Sequence, residues 1–262
     1  TADAGRLGAF QSQGMFQKGA SSAGVKKAVS SNFRTAYWTG IAKRARVIYY
    51  NPSRNKPRSD MSYEDLANPL YKGKVVIRKS NNVYNQSLVA SLIQNNGAKK
   101  TAQWAKGIVS NFARQPKGND RAQILAVAAG EADYAVANTY YIALMLSGKK
   151  GPEQQAAAKK VAPFFPNQTG RGTHMNISGG GILKHAPNKK NAIKLLEFLV
   201  TPEAQKHIVN NTFEYPIIEG VKPSQLISQF GLGFKQDLKT KVSSYGKRQA
   251  EALKIMTEAG WN

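Results

Sequence analysis

The stretch "ADYAVANTYYIALM", residues 132–145, combines a short apolar run with two adjacent tyrosines, Tyr140 and Tyr141. The run "ADYAVAN" is typical of a buried strand, and it leads directly into the tyrosine pair. Neighbouring residues on a strand point to opposite faces, whereas at a turn or a helix start both phenols can reach one cavity. The pair, at the end of a predicted strand, is therefore a candidate binding site.

Predicted strands and helices alternate on the N-terminal side of this pair. The sequence predicts strands at Ala45–Tyr50 and at 73–80, "GKVVIRKS". Helices are predicted at 86–97, where leucines recur at helical spacing and Gly97 ends the pattern, and from about residue 120 to Gly130. Repeated units of this kind predict an α/β fold with a largely parallel sheet.

The composition narrows the class of protein. The chain has 262 residues, enough for one large domain or two lobes, and it has no cysteine, which excludes disulfides and thiolate metal sites. Its net charge of +23 favours anionic partners such as nucleic acid or an acidic membrane surface. The basic residues are spread along the chain without a nucleic-acid-binding motif, so we interpret them as a generally cationic surface.

Catalytic motifs are scarce. The three histidines, His174, His185 and His207, do not have the spacing of metal ligands, and there is no G-x-S-x-G nucleophile motif. The glycine triplet Gly179–Gly181 is not followed by the lysine of a phosphate-binding loop, and we predict a chain crossover or hinge there, with close backbone approach. The sequence therefore predicts a protein that is not an enzyme.

A third tyrosine occupies a position similar to that of the pair. Tyr84 lies in "KSNNVYNQS", a polar segment between a predicted strand and a predicted helix. Ligand sites of open α/β sheets lie at the carboxyl ends of strands, so all three phenols fall where a cleft is expected. A phenolate is a hard oxygen ligand that suits ferric iron. The alternative from the residues alone is an aromatic wall of an organic-ligand pocket.

Several long stretches of the chain are distinctive. They include "IAKRARVIYYNPS" (41–53), "YEDLANPLYKGKVVIRKSNNVYNQSLVASLI" (63–93), "NFARQPKGNDRAQILAVAAGEADYAVANTYY" (111–141) and "FFPNQTGRGTHMNISGGGILKHAPN" (164–188). These stretches resemble the periplasmic ferric-ion-binding proteins of bacterial iron ABC transporters, especially their cyanobacterial Fut-type subgroup. Members of the family begin earlier than this chain, so we expect the first βαβ unit of one lobe, and one further iron ligand, to lie upstream of it.

The resemblance implies an α/β fold, a two-lobed type II periplasmic solute-binding protein. Each lobe is expected to be a mostly parallel sheet flanked by helices, with the ligand cleft between the lobes. We assign residues 1–47 plus 176–235 to the N-lobe and 48–175 to the C-lobe. Residues 236–262 form a C-terminal helix whose lobe is left open.

The resemblance also implies the function and the site. Tyr84, Tyr140 and Tyr141 are expected to bind Fe³⁺ as tyrosinates, with a synergistic anion such as carbonate, or water, completing the coordination. Arg44, with Arg46 as second candidate, is expected to hold the anion or brace the site; the alternative for Arg44 is a plain surface cation. The protein is expected to be a periplasmic monomer that delivers iron to an inner-membrane ABC permease, without nucleic acid. The alternatives are an anion-binding protein of the same fold and a cationic nucleic-acid-binding protein.

Overall fold

In the computed structural model, which describes residues 2–262, helices and short strands alternate along the chain. The strands are β1 (Phe16–Gln17), β2 (Trp38–Tyr50), β3 (Val75–Val76), β4 (Tyr134–Asn138), β5 (Ala162–Phe164), β6 (Met175–Leu183) and β7 (Tyr215–Pro216). The α-helices are α1 (Ala4–Ser12), α2 (Ala23–Ala28), α3 (Val83–Asn96), α4 (Ala98–Ser110), α5 (Asp120–Ala129), α6 (Tyr140–Leu146), α7 (Pro152–Ala158), α8 (Lys189–Leu199), α9 (Pro202–Thr212), α10 (Gln225–Ser228) and α11 (Ser244–Glu258). Short 3₁₀ turns occupy Ser31–Phe33, Glu64–Ala67 and Pro69–Tyr71.

Strand β2 pairs with two different groups of strands along its length. Up to Ala45 it pairs with β6 and β7, and from Arg46 onward it pairs with β4 and β5. One continuous strand of 13 residues therefore changes partners between Ala45 and Arg46. The predicted lobe boundary at 47/48 falls just beyond this point, and the division of the chain into lobes remains a prediction.

The strand directions differ from the prediction of mostly parallel sheets, which is wrong. Among the ladders formed by the named strands of residues 2–262, β3–β4 is parallel, and the other ladders are antiparallel. The parallel pair is joined by a helical crossover, as such a pair requires. Strand β2 instead runs opposite to every partner. Alternation of helices and strands in a sequence does not reveal the direction in which a distant strand enters a sheet.

The glycine triplet Gly179–Gly181 lies within β6, beside residues 38–40 of β2. A Cβ atom at Gly179 would lie 2.5 Å from the carbonyl oxygen of Thr39, and one at Gly181 would lie 2.6 Å from that of Tyr37. The close backbone approach that glycine permits is therefore confirmed, whereas the chain crossover or hinge expected at this triplet remains a prediction.

The C-terminal helix α11 packs against α1, α3 and α4. Two glycines permit its contact with α1, since a Cβ atom at Gly246 would lie 2.7 Å from the Cα atom of Gly8. Helix α11 thus contacts α1, from the predicted N-lobe, and also α3 and α4, from the predicted C-lobe. No helix among residues 2–262 is both long and apolar enough to span a membrane.

Candidate metal centre

Tyr84 lies in the first turn of α3. The side chain of Asn82 caps this helix and accepts a hydrogen bond of 3.1 Å from the backbone N–H of Tyr84. The helix therefore begins three residues earlier than the predicted 86–97, and Tyr84 is helical rather than in the preceding loop. The helix dipole places partial positive charge at this end of α3.

Tyr140 and Tyr141 are the first two residues of α6, which begins directly after β4 and Thr139. Their rings lie side by side, with centroids 4.3 Å apart and planes inclined by 33°. The tyrosine pair therefore lies at a helix start, which is the arrangement that allows adjacent residues to face the same region.

The structure brings Tyr84 and Tyr140 together. The Tyr140 hydroxyl donates a hydrogen bond of 3.2 Å to the Tyr84 hydroxyl. Both side chains line a cavity of about 290 Å³. Tyr141 lies against Tyr140 but is not one of the residues that line this cavity, so its part in a metal site remains a prediction. The other lining residues are Ala2, Asp3, Arg6, Arg44, Ser178, Thr212 and Glu214.

Arg44 lines this cavity, and its side chain is buried rather than on the protein surface. Its Nη1 atom lies 3.2 Å from Glu214 Oε1 and donates a hydrogen bond of 2.8 Å to Ser178 Oγ. Ser178 in turn donates to Glu214 Oε1 at 2.9 Å. The interpretation of Arg44 as a plain surface cation is therefore wrong, while its expected contact with an anion remains a prediction.

Arg46, the second candidate, lies behind the cavity and does not line it. Its guanidinium donates hydrogen bonds to Asp120 Oδ2 at 3.1 Å, to Asn138 Oδ1 at 3.0 Å and to Asn85 Oδ1 at 2.6 Å. Asn85 follows Tyr84, and Asn138 lies two residues before Tyr140. Arg46 therefore connects the helix start that carries Tyr84 to the end of β4, two residues before Tyr140.

Three guanidinium groups surround the ring of Tyr84. The Cζ atoms of Arg44 and Arg78 lie 5.5 Å from the ring centroid, and that of Arg46 lies 6.0 Å from it. These are cation–π distances, so the ring of Tyr84 lies in a positively charged surrounding.

The other two phenols are strongly biased toward their neutral forms. Burial raises the pKa of the Tyr140 phenol far above its usual value, and the neighbouring Tyr141 and Tyr84 phenols raise it further. Burial, together with the charge of Asp120, raises the pKa of Tyr141 to about 12. At neutral pH both groups are therefore protonated until a cation replaces their protons.

Two carboxylates line this cavity. Asp3 and Glu214 line it, and among residues 2–262 no group of three or more histidine, cysteine, aspartate or glutamate side chains is arranged to hold a metal. Asp3 caps α1 through Oδ1, while within residues 2–262 its buried Oδ2 atom has no hydrogen-bond partner. His174 is buried elsewhere, against Tyr245.

Sequence reasoning missed five polar residues of the cavity: Asp3, Arg6, Ser178, Thr212 and Glu214. They come from three separate segments of the chain and have no common motif. Glu214 and Arg44, for example, are 170 positions apart. The stretch "NNTFEYPI" (210–217), which contains Glu214, is also similar to the ferric-ion-binding family, but that resemblance assigns no role to the carboxylate.

The chain belongs to a family of bacterial extracellular solute-binding proteins, whose family model matches residues 2–229. It is 48% identical over 263 aligned residues to iron uptake protein A1 of Synechocystis, an alignment that covers the whole of this chain and 72% of that protein. The Fe(3+)-binding periplasmic protein of Serratia marcescens is 30% identical over 226 residues, covering 85% of this chain and 63% of the relative.

Solved structures agree with this assignment. The Trichodesmium IdiA (FutA) protein in complex with iron and citrate has a TM-score of 0.95 and 52% identity, covering 99% of this chain and 82% of that one. The ferric binding protein of Campylobacter jejuni has a TM-score of 0.93 and 39% identity, covering 100% and 83%. The predicted fold class, a two-lobed type II periplasmic solute-binding protein, and the resemblance itself are confirmed.

Proposed function

We propose that this chain is the Fe³⁺-binding component of a bacterial iron ABC importer and that Tyr84 and Tyr140 are two of its iron ligands. The observation that carries the proposal is the 3.2 Å separation of their hydroxyl oxygens on the wall of a polar cavity. The relatives named above, which are iron uptake and ferric-binding proteins, support the choice of cargo.

The separation of the two oxygens suits one small, highly charged cation. Ligands at about 2.0–2.1 Å from an octahedral ion lie roughly 2.9 Å apart when they occupy adjacent positions. The two oxygens therefore need to move by only a few tenths of an ångström to share an ion. Tyr141, beside Tyr140, is the third proposed ligand, since a shift of its ring would bring a further phenolate to the same cation.

The opposite wall supports a mixed coordination sphere. Arg44 and Arg6 line the cavity and supply positive charge for a synergistic anion such as carbonate, or for a water molecule polarised by the metal. The buried Asp3 Oδ2 atom lacks a hydrogen-bond partner within residues 2–262. A proton donor or a cation in the cavity would satisfy it. Because Arg44 and Arg6 are positively charged, an anionic solute is the second candidate ligand of the cavity.

We place the closing motion at β2. The strand changes partners between Ala45 and Arg46, next to the cavity, so a rotation there moves the wall with Arg44 relative to the wall with the tyrosines. The iron-loaded form would dock, as a monomer in the periplasm, on an inner-membrane permease. Protonation of the phenolates would then weaken the complex and allow release. The role is binding and delivery, not catalysis.

A ferric titration followed by visible absorbance tests the proposal. Tyrosinate-to-iron charge transfer should produce a coloured complex at one equivalent of Fe³⁺ presented with a weak chelator. Tyr84→Phe and Tyr140→Phe should weaken or abolish the band. The matched control is Tyr71→Phe, because Tyr71 is half-buried beside Tyr134 and does not line the cavity.

The titration also separates the two candidate ligands. An anionic solute bound by Arg44 and Arg6 would give saturable binding without a visible band. Absence of the band in the parent chain, or a band of equal strength in both substituted chains, would reject the tyrosinate site. A band lost equally in the Tyr71→Phe control would show that the loss reflects misfolding, which the thermal unfolding curve of each variant reports directly.

A further inference from the structure

Helix α9 ends at Phe213, whose backbone lies in the left-handed region with a φ of 59°. A phenylalanine rarely adopts this conformation, because its Cβ atom crowds the backbone there. Among residues 2–262, Asn167 and Phe213 are the non-glycine residues with a positive φ. An unfavourable conformation of this kind persists only where the surroundings impose it, so the contacts of Phe213 indicate its role.

The left-handed turn at Phe213 lies beside the cavity that Tyr84 and Tyr140 line, which we call the tyrosine cavity. The backbone N–H of Phe213 donates a hydrogen bond of 3.1 Å back into the last turn of α9 and caps the helix. The residues on either side of it, Thr212 and Glu214, both line the tyrosine cavity. Phe213 is not one of the lining residues, so it is placed to position two residues that are.

A lysine from the tyrosine side of the cavity lies over the ring of Phe213. The ring is buried, and the Nζ atom of Lys149 lies 5.2 Å from its centroid, which is a cation–π distance. Lys149 is exposed and follows α6, the helix that begins with Tyr140. Within residues 2–262, Lys149 has no carboxylate oxygen within 4.0 Å that would compete with the ring. The contact therefore connects the helix that carries Tyr140 with the segment that carries Glu214.

The two partners of this contact belong to different predicted lobes. Lys149 lies in the predicted C-lobe, 48–175, and Phe213 lies in the predicted N-lobe, in its part 176–235. Helix α10, also of the predicted N-lobe, packs against α6 as well. A hinge motion at β2 that opens the tyrosine cavity would have to separate Lys149 from Phe213.

We propose that Phe213 is a positioning residue of the ferric site and that Lys149 holds it in place while the cavity is closed around iron. The contact keeps Thr212 and Glu214 against the wall that carries the tyrosines, and it slows the release of the ion. This inference rests on the proposed function, because it concerns the rate at which bound Fe³⁺ leaves. A cation–π contact at an exposed site contributes a factor of about two to five.

Transfer of Fe³⁺ from the loaded protein to an excess of a strong chelator, followed by loss of the tyrosinate band, tests the proposal. Lys149→Met keeps most of the side-chain length and removes the charge, and it should speed release by about two- to fivefold. Lys149→Arg keeps a cation over the ring and should release iron at the parent rate. The matched control is Lys150→Met, which removes the same charge from the neighbouring exposed residue and should leave the rate unchanged.

A second substitution tests the ring. Phe213→Leu removes the aromatic face and should speed release by at least as much as Lys149→Met does. In the double variant Lys149→Met/Phe213→Leu the two effects should not add, because each substitution breaks the same contact. The wavelength of the band should stay that of the parent in every variant, because none of them removes an iron ligand.

The proposal fails if Lys149→Met releases iron at the rate of the Lys150→Met control, or if Lys149→Arg releases it as fast as Lys149→Met. It also fails if the effects of Lys149→Met and Phe213→Leu add fully in the double variant. In each of these cases the band still forms, so the ferric site itself stands. Absence of the band in the parent chain would instead reject the proposed function, and this inference with it.

Discussion

Arg46 and Asp120 form an ion pair of 3.1 Å in which the side chains are 1% and 0% exposed. Asp120 Oδ2 also accepts a hydrogen bond of 2.8 Å from the backbone N–H of Asn138, and Oδ1 lies 3.4 Å from Nη1 of Arg78. The pair therefore sits at the junction of β2, β4 and α5, directly beneath the tyrosine cavity.

Breaking this pair should destabilise the protein strongly. Asp120→Asn leaves the Arg46 charge buried without its counter-ion, and we expect the free energy of unfolding to fall by about 3–5 kcal/mol. Urea denaturation measures the change. The matched control is Asp60→Asn, which removes an exposed ion pair with Arg58 and should leave the unfolding transition nearly unchanged. Equal effects of the two substitutions would contradict the structural role of the buried pair.

Ferric affinity should rise with pH. The pKa of the Tyr140 phenol lies far above neutrality, chiefly because of burial, and that of Tyr141 is raised to about 12. Binding as phenolate releases one proton for each phenol, so each ligand contributes about a tenfold gain in affinity per pH unit. Competition with a chelator of known pH dependence measures the slope between about pH 6 and pH 8.

Substitution of Tyr140 tests whether its phenol proton is released when iron binds. Tyr140→Phe should reduce the slope of log affinity against pH by about one. A slope that is unchanged by this substitution would show that Tyr140 does not bind the metal as phenolate, even if the overall affinity falls.

Stability should fall at mildly acidic pH because of His174. Burial first, and then the charges of Arg46, Arg171 and Arg44, hold the pKa of this imidazole well below its ordinary value. The native state keeps His174 neutral while the unfolded chain takes up a proton below about pH 6.5. The stabilisation by His174 is therefore present above that pH and is lost progressively as the pH falls below it.

Urea denaturation at pH 7 and at pH 5 checks this sign. His174→Gln should lower stability at pH 7, because the hydrogen bond of 3.3 Å between Nδ1 and the Tyr245 hydroxyl is altered, but it should reduce the loss between the two pH values. The reduction is expected to be on the order of 1–2 kcal/mol. An identical loss in the variant would assign the acid sensitivity to other groups.

The contact between α1 and α11 should not tolerate a methyl group. Gly246→Ala places a Cβ atom 2.7 Å from the Cα atom of Gly8, so the helices must separate, at a cost of about 1–3 kcal/mol. The control is Gly233→Ala, because nothing lies within 4 Å of a Cβ atom built there. Thermal unfolding compares the two variants, and a Gly246→Ala variant as stable as the control would contradict the close packing.

Local signals in the sequence predicted much of the secondary structure. The spacing of Ser62 and Asp65 is typical of a reciprocal cap, and Asp65 Oδ2 accepts at 2.7 Å from the Ser62 N–H while Ser62 Oγ accepts at 3.2 Å from the Asp65 N–H. Thr201 caps α9 as its position before proline predicts. Such signals involve neighbours in the chain, so they are visible without knowledge of the fold.

Strand lengths were predicted poorly because they depend on distant partners. The run 73–80 contains enough apolar residues for a full strand, but only Val75–Val76 forms a ladder, beside β4. Conversely, β2 begins at Trp38, seven residues before the predicted Ala45, although it contains Gly40, Lys43 and Arg44. Those residues are extended because β6 lies alongside them, which no local pattern reveals.

The candidate site was predicted only in part. The sequence placed Tyr84 and Tyr140 at strand ends, and the structure confirms that they meet. Of the opposite wall, Arg44 was expected from the family resemblance, whereas Asp3, Ser178 and Glu214 were not, because they have no shared motif and are brought together by the pairing of β2 with β6. A ligand set built from distant segments requires the topology of the sheet, and the sequence patterns did not specify that topology.

The pairing of β2 limits how this protein can be divided into separately expressed fragments. A single strand supplies pairing partners to β6 and β7 with its first part and to β4 and β5 with its second part. Any fragment that ends between Ala45 and Arg46 would leave two incomplete sheets, each with unpaired edges that invite aggregation. Expression of either half as a separate module, or insertion of a reporter domain at this point, should therefore yield insoluble material rather than two independent folding units.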